Sequence, residues 1–170
     1  MKYINKLIIR LILAFIMVLI GSNFVYFLLF KPTFYSSYLL LLPYKPIIEN
    51  NSLIIQNTKL EFVSACIATS AYLLLALLIL LTKDINLKKG MKILITGVII
   101  LLIVNLLRIY ILALILLKFG IDAFNNVHLF FWQILSTVFV FLLWIFLTKY
   151  FKIKNIPIYS DFNQLIKILK

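Results

Sequence analysis

The chain has 170 residues, of which 65% are hydrophobic and 13% charged, and its mean hydropathy is +1.14. Seventeen Lys and Arg face five Asp and Glu, for a formal net charge of +12. So oily a composition excludes a water-soluble enzyme and a disordered tail. No basic stripe alternates with stacking aromatics outside the apolar runs, so nucleic acid is not the expected partner either. One cysteine excludes an internal disulfide, and one histidine excludes a self-sufficient Cys/His zinc site. The five acids, Glu49, Glu61, Asp84, Asp122 and Asp161, lie outside the long apolar runs, and neither H-E-x-x-H nor G-x-S-x-G occurs. Intramembrane aspartyl and zinc protease chemistry is thereby excluded, and no metal or cofactor is expected.

Four stretches reach the ~20 residues needed to cross a hydrocarbon core of ~30 Å: residues 7–30, 63–81, 93–117 and 128–147. The first follows Lys2, Lys6 and Arg10. Its apolar run is too long for a signal peptide and no A-x-A site follows, so it reads as a retained span. Residues 34–48 contain the apolar Tyr38 to Leu42 but are interrupted by Pro43 and Pro46, which suggests a re-entrant or interfacial piece. Asn50-Asn51 marks a turn, and the partial alternation from Ser52 to Val63 suggests a short external hairpin. After Pro157, residues Ile158, Phe162, Leu165, Ile166 and Leu169 recur at helical spacing with Lys167 and Lys170 opposite, as in an amphipathic helix lying on a membrane surface.

Lys and Arg accumulate in cytoplasmic loops. Twelve of them fall before the first span, between the second and third, and after the fourth, against Lys31, Lys45, Lys59 and Lys118 on the other side. The expected fold is therefore an all-α, multi-pass membrane helical bundle of about four spans, with both termini cytoplasmic. Residues 1–150 form the transmembrane bundle and 151–170 a basic cytoplasmic tail.

Three rare side chains fall at the outer ends of these spans. Cys66 enters the second span, and a lone buried Cys is most often a small hydrophobe. Thr69 and Ser70, three and four residues on, share its helix face and make one polar stripe at the outer leaflet. Arg108 lies roughly 23 Å across the third span, counted from Ile93. An intramembrane arginine is costly and marks a functional or paired site unless it snorkels to headgroups. Asn105, one turn earlier, is placed to hold the guanidinium. His128, after Asn125 and Asn126, opens the fourth span, where a histidine is commonly a cap. Alternating spans put all three at one membrane face. A thiolate nucleophile, a histidine that accepts and returns a proton, and an arginine that stabilises an oxyanion together make a coherent acyl-transfer set.

The order and spacing of these residues resemble a known family. Glu61-Phe-Val-Ser-Ala-Cys66 at the mouth of a span, Asn105-Leu-Leu-Arg108-Ile109 in the next and Asn126-Val-His128 opening the last are similar to the Cys, N-x-x-R and His signatures of exosortases and archaeosortases, prokaryotic multi-pass membrane cysteine transpeptidases. The resemblance covers Leu53 to about Lys149. It implies that Cys66 is the nucleophile, Arg108 the transition-state stabiliser and His128 the third catalytic position, which is Arg in some relatives, with Asn105, Thr69, Ser70 and Asn126 supporting. It also implies a substrate class: exported proteins that end in a short motif, an apolar span and a basic tail, transferred to an acceptor, a membrane lipid being the favoured one. The site would face outward in a prokaryotic cell membrane. Bacterial members usually carry Ser or Thr and then Gly after the Cys, whereas Ile67 and Ala68 follow here. With the short chain, the resemblance points to a minimal form of the family, an archaeal one being one option. Two other readings fit the residues without the resemblance: a non-catalytic four-span subunit or assembly factor, and a small transporter with Arg108 binding an anion.

Overall fold

The computed structural model describes residues 2–56, 58–83, 85–131 and 136–153, together with 155, 157–159, 161, 162 and 166. It is mostly helical: α1 is Lys2–Leu41, α2 Ser64–Ile67, α3 Thr69–Leu81, α4 Leu87–Phe130 and α5 Ser136–Tyr150. Between α1 and α2 lie three short strands, β1 (Ile47–Glu49), β2 (Ser52–Ile55) and β3 (Thr58–Glu61). Two helices, α1 and α4, are long and apolar enough to cross a membrane, and α3 and α5 are shorter apolar helices.

The strands form an antiparallel meander in the order β1-β2-β3, with Ile48 opposite Leu53 and Leu53 opposite Leu60. The expected hairpin is present, within a three-stranded sheet, so the fold is not purely α. Asn50, in the left-handed region at φ 52°, makes the first turn, as Asn does at low cost. Leu53, Ile55, Leu60 and Phe62 are buried. Phe62 meets the edge of Phe34 at 5.1 Å between ring centroids, which joins this cap to α1.

Residues 34–48 are not a separate re-entrant piece. Helix α1 runs through Pro32 to Leu41, and only then do Pro43 and Pro46 bring a 3-10 turn. Proline removes one helical donor and disfavours helical conformation at the residue before it, so α1 passes Pro32 at a cost. Burial offsets that loss, because Thr33, Phe34, Ser37 and Leu41 face the core.

Two further boundaries differ from expectation. The second apolar stretch is broken at Ala68, which takes φ 59° and ψ 39° and separates α2 from α3. The third ends close to Leu117, at the non-helical Gly120 (φ 82°, ψ −175°), and a further helical segment, counted with it in α4, runs on to Phe130. His128 thus lies in the last turn of α4 rather than at the start of the following helix, which begins at Ser136. Residues 132–135 of the expected fourth span lie outside the described residues, as do Leu165, Lys167, Leu169 and Lys170 of the expected tail helix.

Helix α3 packs between α1, α4 and α5. Gly97 makes the crossing possible, since a Cβ there would run into the Leu75 side chain of α3 and stand 3.2 Å from Leu147 of α5. At the end of α3 away from Cys66, Arg10 donates to the carbonyls of Leu80 (3.2 Å) and Leu81 (2.7 Å) and pairs with buried Asp161 at 2.6 Å. The Tyr3 hydroxyl donates to the same carboxylate. One arginine thereby closes the C-terminus of α3 and ties the tail to α1.

Candidate active site

Cys66 sits in α2, a single turn isolated from α3 by the left-handed Ala68. In a continuous helix the carbonyls of Ala65 and Cys66 would accept from the amides four residues on. Here they receive side-chain donors from α4. Arg108 Nη2 donates to Ala65 O at 2.6 Å and to Cys66 O at 3.1 Å, and Asn105 Nδ2 donates to Cys66 O at 2.9 Å. The N-x-x-R pair therefore holds the backbone of the cysteine turn. Asn105 was expected to hold the guanidinium; instead it grips the same turn alongside it, and its Oδ1 has no partner among the described residues. The difference arises because broken-helix carbonyls buried in an apolar bundle need donors.

The thiol of Cys66 is half-buried and points back toward the Glu61 carbonyl, at 3.5 Å. A small cavity opens beside it, walled by Leu60, Phe62, Cys66, Arg108, Ile109, Leu112, Phe124 and His128. The three rare side chains thus line one space. Gly120 makes this possible, since the kink there lets the last part of α4 leave the line of the helix before it. The imidazole of His128 then stacks on Phe124 at 5.4 Å and 19°, which fixes its plane, and its Nε2 is buried with no partner among the described residues.

The supporting residues divide. Thr69 is buried and reaches back to Ser64 O at 3.5 Å, across the break at Ala68. Ser70 and Asn126 are exposed and do not line this cavity. Thr69 and Ser70 do not continue the face of Cys66, because the helix on which that stripe was drawn is interrupted.

Ser136 and Phe124 escaped the sequence reading. Ser136 Oγ accepts from Arg108 Nη1 at 3.5 Å and donates to Phe131 O at 2.7 Å, so it bridges the guanidinium to the end of α4. Phe124 stands four residues before His128, a spacing that places two side chains on one helix face, and could have been found that way. Nothing in the local sequence distinguishes Ser136 from other serines.

Neither a curated protein nor a solved structure matches the chain. A family model described as transmembrane exosortase matches residues 2–148, from the first turn of α1 to near the end of α5. With this coverage the chain belongs to the transmembrane exosortase family.

Proposed function

We propose that the protein is a membrane cysteine transpeptidase that cleaves the C-terminal sorting signals of exported proteins and passes the acyl group to an acceptor. The observation that carries this reading is the shared cavity of Cys66, Arg108 and His128. His128 Nε2 takes the thiol proton of Cys66. The thiolate attacks the scissile carbonyl, forming a C–S bond and a tetrahedral oxyanion. Collapse expels the amine, which leaves with the proton from His128, and a thioester remains. An acceptor hydroxyl or amine then attacks, gives its proton to His128 and releases the thiolate. Arg108 keeps positive charge beside the negative charge that forms first on sulfur and then on oxygen. Removal of water by Phe62, Phe124, Leu60 and Leu112 strengthens that attraction. Thr69 and Asn105 act by keeping the turn in place.

In this reading α1, α3, α4 and α5 cross the bilayer, with both termini and the link around Lys83 to Lys92 on the cytoplasmic side. Helix α3 has 13 residues and extends only about 20 Å. Cys66 at its outer end therefore stands below the external surface of a ~30 Å core, under the sheet. A substrate anchored by its own apolar span and basic tail presents its scissile bond at that depth, and anchoring raises its local concentration. A lipid acceptor reaches the thioester from the same leaflet.

The test is co-expression with an exported protein bearing such a C-terminus. Cys66→Ala and Cys66→Ser leave the protein inserted and accumulated while processing stops. Processing by Cys66→Ala removes the enzyme reading and leaves that of a non-catalytic subunit.

A further inference from the structure

At the end of α3 opposite Cys66, a groove of about 650 Å³ opens between α1, α3, α4 and the link joining the last two, within the range of small-molecule sites of about 300–1,000 Å³. Its two ends differ in chemistry. Lys6, Arg10 and Lys83 stand at the rim, where α1 and α4 begin and α3 stops. Met17, Ala76 and Leu94 line the other end, further along each of the three helices. The helical rise from Lys6 to Met17 is about 16 Å, close to half of a ~30 Å hydrocarbon core. With Lys6 at the edge of the core, where hydropathy places it, the groove runs from that edge to the middle of the bilayer, the span of one leaflet. Among the described residues Asp161 is the only acid at the rim end, and it is occupied by Arg10 at 2.6 Å. Lys83 stands over the Tyr3 ring, 5.3 Å from its centroid, and Lys6 is exposed. The start of α1 and the link add Lys2, Lys88, Lys89 and Lys92 against Asp84, so positive charge is in excess here.

An occupant that matches both ends is anionic at the rim and apolar over the depth of a leaflet. A soluble anion uses the rim alone. A neutral hydrocarbon leaves the lysines without a counter-charge. The basic tail of the substrate proposed above meets charge of its own sign. A phospholipid with an anionic headgroup fits both ends, and basic pockets between membrane helices take such headgroups. We infer that this groove is a binding site for an anionic phospholipid, its phosphate between Lys6 and Lys83 and an acyl chain along Met17, Ala76 and Leu94. The inference goes beyond the peptidase reading and needs only that the chain sits in a bilayer. This lipid is not the acceptor, because the length of α3, about 20 Å, separates it from Cys66. It joins the start of α1 to the link beside the Arg10–Asp161 pair, and so holds α3 from the end opposite the cysteine turn.

The purified full chain in a neutral detergent is titrated with dioleoyl phosphatidylglycerol and with dioleoyl phosphatidylcholine, which carry the same chains, and bound lipid is read by native mass spectrometry. The anionic lipid binds about 25-fold more tightly, from two lysines at about fivefold each. Lys6→Gln combined with Lys83→Gln removes that preference, whereas Lys149→Gln combined with Lys152→Gln, basic residues outside the groove, leaves it. Ala76→Phe, and independently Met17→Trp from α1, weaken phosphatidylglycerol binding about tenfold by filling the deep end, with thermal unfolding still cooperative. Glycerol phosphate, which carries the anion without the chains, does not compete. Equal binding of the two lipids, a preference that survives the loss of Lys6 and Lys83 or falls as far with Lys149 and Lys152, an affinity unchanged by both filling variants, or displacement by glycerol phosphate overturns the inference. None of these results bears on whether Cys66→Ala stops processing.

Discussion

Arg108 holds Cys66 by its backbone: the guanidinium Nη2 lies 3.1 Å from the Cys66 carbonyl oxygen and 2.6 Å from that of Ala65. The cation that would stabilise the proposed reaction is therefore also the cap of the turn that carries Cys66, its proposed nucleophile. This dual attachment separates Arg108 from a surface-anchoring arginine, whose donors would reach headgroups.

Arg108→Lys tests that attachment. Lysine keeps the charge but not the planar fork of donors, so it cannot serve two carbonyls and Ser136 in one geometry. Processing is expected to fall about 100-fold, the scale seen when one placed donor is lost from an active site, with the protein still accumulating. Equal rates for Lys and Arg would show that charge alone matters.

Ala68 carries the strain of the break between α2 and α3. A left-handed residue with a side chain costs roughly 1–2 kcal/mol that glycine does not, and glycine returns about half of that through the unfolded chain. Ala68 is also the position at which bacterial relatives carry their Gly after Cys. Ala68→Gly is expected to stabilise by about 0.5–1 kcal/mol and keep processing, and Ala68→Val to lose both, as measured by unfolding in detergent and by substrate cleavage.

Gly120 tests the other break. A Cβ at Gly120 would meet nothing within 4 Å, so any effect of Gly120→Ala comes from its φ of 82° and ψ of −175°, a region other residues enter at a cost on the order of 1–3 kcal/mol. The helix is expected to straighten and carry Phe124 and His128 away from Cys66. Processing falls by at least tenfold while iodoacetamide still labels Cys66; unchanged processing would mean His128 does not need the break.

These two breaks were the least legible features of the sequence. The four apolar stretches, the Asn50 turn and the rare side chains could be read from hydropathy and spacing, because burial and charge cost act locally. Ala68 has no propensity for a left-handed conformation, and the break there is held by donors from residues 39 and 42 positions beyond Cys66. Nothing in the hydropathy pattern singles out Gly120, three residues past the expected end of the third span, as a break. Hydropathy ends the first span at Phe30, whereas the tertiary burial of Phe34 and Leu41 carries α1 on past Pro32. Asn105 and Arg108 were visible as a pair on one helix face, but their shared target was a backbone that sequence patterns do not display.

The orientation we propose rests on the placement of the basic residues. In a Cys66→Ala background, single cysteines at Asn51, exposed in the β1-β2 turn, and at Asn86, exposed at the start of α4, report opposite faces. A membrane-impermeant maleimide on intact cells is expected to label the first and spare the second. The reverse pattern would place the site on the cytoplasmic side and contradict the anchored-substrate geometry.

The central claim is that Cys66 becomes covalently acylated by an exported substrate. The direct measurement is mass spectrometry of the enzyme from cells co-expressing an anchored substrate, with and without hydroxylamine, which cleaves thioesters. The account predicts a substrate-derived adduct on the peptide containing Cys66, removed by hydroxylamine, absent from Cys66→Ala and reduced in His128→Gln, where the proton acceptor is gone. Cleaved substrate accumulating with no adduct at Cys66, or in the Cys66→Ala variant, would contradict it.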